Sequence, residues 1–159
     1  MKISERMTLT LALLAAAPAF ADAASDKTLR DSERMIARCL DYAASQKYTP
    51  LSVGVVDPTG TLIAFRRQDG AGPSTADAAL LKARTSLRVN APTSELGPVA
   101  NDAPTRDAFL VMQMTLLPGG IPLNDADGRV FGAIGVSGGT GEQDAECARR
   151  AAGIVPNKK

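Results

Sequence analysis

The alternation of apolar and polar positions predicts three long helices and two groups of strands. From about Thr28 to Lys47, Leu29, Met35, Ile36, Cys39, Leu40 and Ala43 fall near one face, with Arg30, Glu33, Arg34 and Arg38 on the rest. That is the spacing of an amphipathic helix. Leu51 to Val56 and Thr61 to Arg67 read as strands joined by the turn Asp57-Pro58-Thr59-Gly60, a hairpin signal. A second helix is expected from about Ser74 to Val89, opened by Ser74 with Asp77 three residues on, close to a capping box. Residues 91–108 hold three prolines, which argues against long elements there. Beyond Phe109 the pattern predicts strands over Val111 to Leu117, Ile121 to Leu123 and Arg129 to Ser137, with Asp127-Gly128 marking a hairpin. A last helix, about Gly141 to Gly153, begins at the capping box Thr140-x-x-Gln143 and carries Ala145, Ala148, Ala151 and Ala152 on one side.

This order predicts an α+β domain built on a mainly antiparallel sheet. If the first and last helices share a face of that sheet, Cys39 and Cys147 come close.

The first residues carry a different signal. A short basic segment, an apolar run from Thr8 to Phe20 and Ala19-Phe20-Ala21 before Asp22 have the form of a secretory signal peptide over residues 1–21. The apolar run falls short of the roughly 20 residues of a membrane span. The expectation is therefore a single domain over 22–159, periplasmic or secreted, with no membrane span once the signal is removed. An exported protein with an even cysteine count can oxidise its thiols. Cys39 and Cys147 then form a disulfide, or else stand as two buried thiols where helices pack.

Composition narrows the chemistry. The chain of 159 residues contains no histidine, so Ser-His-Asp and Cys-His machinery and histidine metal ligands are excluded. Removing residues 1–21 takes Lys2, Arg6 and Glu5 and leaves acidic and basic residues in balance. A neutral surface poor in aromatics does not fit a nucleic-acid partner. Gly135-Val136-Ser137-Gly138-Gly139 matches the nucleophile-elbow pattern, but only a lysine, with Lys82 foremost, is left to activate the serine. A glycine-rich strand-to-helix turn accounts for it better. Asn124, Asp125 and Asp127 echo part of a calcium loop without its closing glutamate, and a solvated turn is the simpler reading. No catalytic constellation emerges, which leans against an enzyme; an enzyme acting on an organic acid or degrading haem stays as the remaining alternative.

Binding residues are easier to nominate. Lys82 lies on an amphipathic helix where a cation can run along the apolar face and meet a carboxylate. Arg66 and Arg67 end a strand and point to opposite faces. Met112 and Met114, two apart on the expected strand, share a face; they fill core, or their thioethers ligate haem iron. The other available axial donors are the two cysteines, Lys82, Tyr42 and Tyr48.

The stretches Leu117-Pro118-Gly119-Gly120-Ile121-Pro122-Leu123 and Asp127-Gly128-Arg129-Val130-Phe131-Gly132-Ala133-Ile134-Gly135-Val136-Ser137-Gly138-Gly139-Thr140, followed by Glu142-Gln143-Asp144, resemble the GlcG/HbpS family of haem-degrading or haem-binding proteins. Val53 to Asp57, Asp69-Gly70-Ala71, Lys82-Ala83-Arg84-Thr85 and Pro92 to Leu96 extend the resemblance over nearly all of 22–159. It implies a profilin-like α/β/α sandwich, homo-oligomers and a non-covalent small-molecule ligand, haem or a related tetrapyrrole. It carries Lys82, Gly119 and Gly120 over as pocket candidates, and the residue reading adds Arg66 and Thr85 to that pocket, with Met112 and Met114 as candidate iron contacts. Haem-binding members commonly supply histidine to iron, which this chain lacks. The alternative expectation is an accessory or sensor protein that binds a protein partner or a small organic acid.

Overall fold

The computed structural model describes residues 23–153; the signal-peptide expectation concerns residues outside that range. The elements run α1 (Ala23–Ser45), β1 (Ser52–Val56), β2 (Leu62–Arg67), α2 (Thr75–Val89), a 3-10 turn (Thr93–Glu95), α3 (Gly97–Asn101), α4 (Ala103–Val111), β3 (Gly120–Asn124), β4 (Val130–Ser137) and α5 (Gly141–Ala151). The four strands form one antiparallel sheet in the order β2-β1-β4-β3. Two local hairpins are thus joined along their inner strands. At the first hairpin turn the Asp57 carboxylate accepts the N–H groups of Thr59 and Thr61 and the Thr59 hydroxyl. Those bonds, the hydroxyl first, hold the Asp57 carboxyl below its ordinary value.

Alternation along the strands sorts the two faces. Val53, Val55, Ile121, Leu123, Ile134 and Val136 point to one side, where Ile36, Cys39, Leu40 and Ala43 of α1 meet Cys147, Ala148 and Ala151 of α5. Cys39 and Cys147 are joined there by a disulfide with Cα atoms 4.8 Å apart. The other face is made of small residues, because α2 lies almost on the strand backbone. A Cβ on Gly135 would fall 2.0 Å from the Ala79 carbonyl oxygen, and one on Gly120 would fall 2.2 Å from that of Lys82. This approach accounts for glycine inside the sheet at positions 54, 120 and 135. The result is a three-layer α/β/α sandwich, as expected. Among the described residues no helix is long and apolar enough to cross a membrane.

Two local expectations are corrected. Ser74 makes no capping hydrogen bond, since its backbone is already helical (φ −83°, ψ −8°), whereas a capping side chain works from extended backbone. Thr75 anchors this end instead, donating to the Gly72 carbonyl at 2.7 Å and sharing a hydrogen bond with Ser52 at 2.8 Å. The expected strand over Val111 to Leu117 does not form either. Asp102 caps α4 by accepting from the Thr105 N–H, and Pro104 sits in the first turn, where its missing N–H costs nothing. Phe109, Leu110 and Val111 therefore end a helix, which stops at left-handed Gln113 (φ 54°). Met112 and Met114 consequently do not share a strand face. The first is 52% exposed and the second is buried.

Candidate functional site

A cleft of about 480 Å3 opens between α1 and the sheet. Val55, Ile63, Leu123 and Phe131 form its apolar part, and Met35, Arg34 and Arg38 descend from α1. Two irregularities in the sheet build it. In the β1–β2 ladder Val55 pairs with Ala64 and Val56 with Leu62, leaving Ile63 as an extra residue. In the β3–β4 ladder Leu123 pairs with Gly132 and Asn124 with Val130, leaving Phe131 extra. A β-bulge re-aims the unpaired side chain. Strict alternation from Phe65 would send Ile63 to the α2 face, yet it packs against the core on the α1 side. Phe131 is turned the same way, into the cleft. Gly132 permits the second bulge, for a Cβ there would lie 2.4 Å from the Val56 carbonyl oxygen.

Asp31, Arg34 and Arg38 rim the cleft with one net positive charge. Arg34 pairs with Asp31 at 3.0 Å and its side chain is 70% exposed. Arg38 donates one N–H to the Ala151 carbonyl at 2.6 Å, closing the end of α5. A guanidinium has five donors, so both arginines keep others for a ligand. An adjoining cleft of about 330 Å3 runs toward the β3 edge past Ile121 and Pro122, and it shares Met35, Leu123 and Phe131 with the first.

Most of the residues nominated from sequence lie elsewhere. Lys82 is 3% exposed. Its ammonium donates to Asp144 at 2.8 Å, to the Val136 carbonyl at 3.0 Å and to the Ser137 hydroxyl at 3.4 Å. Three donors meet three acceptors, so Lys82 offers no lone pair to activate Ser137 and no hand to a ligand. The other Asp144 oxygen accepts the Gly139 N–H at 2.9 Å, filling the glycine-rich turn with the chain's own carboxylate. Thr85 is buried and accepts the Thr115 N–H at 3.0 Å. Gly119 and Gly120 are where the chain passes under Lys82; a Cβ on Gly119 would lie 2.6 Å from the Val136 carbonyl oxygen. These four residues hold α2 to the sheet and line no cavity of the α1 face.

Arg66 does reach the α1 side, in a shallow depression beside Arg30, Glu33 and Arg34. Met112 and Met114 line a separate open depression with Phe109, Val89 and Arg88. Arg88 donates there to the Met112 carbonyl at 3.0 Å. Tyr42 and Tyr48 stack edge to face at 5.9 Å, with Arg150 over the Tyr42 ring at 4.8 Å. Burial, then the contact with Tyr42, pushes the Tyr48 phenol above its ordinary value. Sequence reasoning placed Met35 on a packing face and assigned no role to Ile63 or Phe131. Gly132 inside a strand pattern was the available sign of the bulge.

Comparison with known proteins agrees with this architecture. Residues 28–153 match the family described as haem degrading protein HbpS-like. A Citrobacter freundii protein of 15.0 kDa from the dhaT-dhaS intergenic region is 34% identical over 124 residues, covering 74% of this chain and 83% of that protein. The structure of a Streptomyces reticuli HbpS double mutant is 29% identical with a TM-score of 0.71, covering 98% of this chain and all of that one (100%). The structure of a PduOC complex with haem is 26% identical with a TM-score of 0.70, covering 79% of this chain and 92% of that one.

Proposed function

The chain belongs to the HbpS-like family of haem-degrading proteins, and from that premise we propose that it is exported and binds haem, or a related tetrapyrrole, non-covalently in the cleft beneath α1. The observation that carries the reading is the convergence of the two bulge residues, Ile63 and Phe131, on one apolar cavity rimmed by Arg34 and Arg38. Its volume lies in the range of small-molecule sites. An apolar slot with an aromatic wall suits a flat macrocycle, and two guanidiniums suit two carboxylates, each of which an arginine can hold bidentately. The residues present therefore fit the group. When bound, haem supplies a redox-active iron; the chain supplies the slot and the carboxylate clamps.

Titration of the mature protein with haemin, followed by Soret absorbance, tests this. A saturable shifted band at one haem per chain is expected. Phe131→Ala removes the aromatic wall and should weaken binding about tenfold, the scale of losing one aromatic contact. A linear, unsaturable response from the unaltered protein would refute the haem reading.

A second surface supports the homo-oligomer expected from the family resemblance. Leu110, Val111 and Met112 are 60%, 83% and 52% exposed in succession at the end of α4. A contiguous apolar group of this kind marks a protein contact. We propose that a second copy of the chain covers it, which takes the Met112 depression out of haem binding. Val111→Glu should shift the species seen by light scattering to a smaller mass. An unchanged mass would show that assembly, if any, uses another face.

A further inference from the structure

The cleft also singles out one iron donor. With histidine absent, the heteroatom side chains able to bind haem iron are sulfur, phenolate and amine. Cys39 and Cys147 are consumed in the disulfide. Lys82 spends its ammonium on Asp144, Val136 and Ser137. Tyr42 and Tyr48 stack on each other, and neither lines the cleft. Met112 and Met114 line the depression by α4 and Arg88. Among the residues lining the two clefts, Met35 alone carries a sulfur, a phenol or an amine. It projects from α1 where the two clefts meet, touches both, and packs half-buried against the core beside Ile63.

A thioether there is neutral and flexible, which suits a position between an apolar floor and an arginine rim. Core packing alone would be served as well by leucine. Its place where the two cavities meet puts a neutral, soft donor in the slot, with Arg34 and Arg38 at the rim for the carboxylates. We propose that the Met35 sulfur is the protein's ligand to the iron of the haem bound in this cleft. The proposal rests on the haem reading above.

The test uses haemin-loaded mature protein, compared with Met35→Leu and with the Met112→Leu/Met114→Leu double variant. Leucine nearly conserves volume, so the fold and the slot survive. The unaltered protein and the double variant should show the thioether-to-iron charge-transfer band of the ferric form. Met35→Leu should bind haem, lose that band and show a lower reduction potential, because an axial thioether raises the potential. Haem bound saturably with the band intact in Met35→Leu would overturn the Met35 assignment and leave haem binding standing. Saturable haem with no such band in the unaltered protein would do the same. Absence of saturable binding in the unaltered protein would overturn both. Loss of the band in the Met112/Met114 variant alone would move the iron to the α4 depression and overturn the assignment.

Discussion

Asp144→Ala should destabilise the folded protein by about 3–5 kcal/mol, read as a fall in the urea midpoint at unchanged slope. The residue and its partner are both buried, with side-chain exposures of 4% for Lys82 and 3% for Asp144. Removing the carboxylate strands an ammonium between α2 and the sheet with two neutral acceptors. It also frees the Gly139 N–H that opens the turn into α5. Replacing both partners, as Lys82→Met with Asp144→Ala, removes the uncompensated charge and should recover a large part of the loss. A single variant within about 1 kcal/mol of the parent would show that the pair is solvated in solution, contrary to the structure.

Replacing Cys39 and Cys147 together by alanine should cost a similar amount. The bond spans 108 residues, and closing a loop of that order restricts the unfolded chain by up to about 4.7 kcal/mol in the chain-entropy model. The net stability of a domain is about 5–15 kcal/mol, so the loss would be a substantial part of it. Both sulfurs are wholly buried between α1, α5 and the sheet. Reductant should therefore open the bond slowly in the native protein and quickly in denaturant. Rapid reduction under native conditions, or a double variant as stable as the parent, would show that the crosslink is not part of the core.

The parts of the fold legible in the sequence are those with local causes. The Asp57 turn, the Thr140–Gln143 capping box and the amphipathic face of α1 appear where composition placed them. The segment around Phe109 is ambiguous in sequence because its apolar run has no period that separates helix from strand. The Asp102 cap and Pro104, seven residues upstream of Val111, decide the matter. Lys82 was read as a cation at a pocket's edge. It turns inward because glycine in the facing strands leaves room for its stem and because Asp144, 62 residues away, supplies the counter-charge. No pattern in sequence couples those two positions. The cleft was hidden for a related reason. Period-two alternation sends Ile63 away from α1, and only the bulges, which depend on strand pairing, bring it together with Phe131 and Met35.

The central claim is that haem occupies the cleft beneath α1, and its most direct test is paramagnetic line broadening of the amide NMR spectrum on addition of substoichiometric haemin. Signals centred on Arg34, Met35, Arg38, Val55, Ile63 and Phe131 should be lost, with those of Arg88, Val89 and Phe109 retained. Broadening centred on the α4 depression, or spread evenly over the surface, would contradict it.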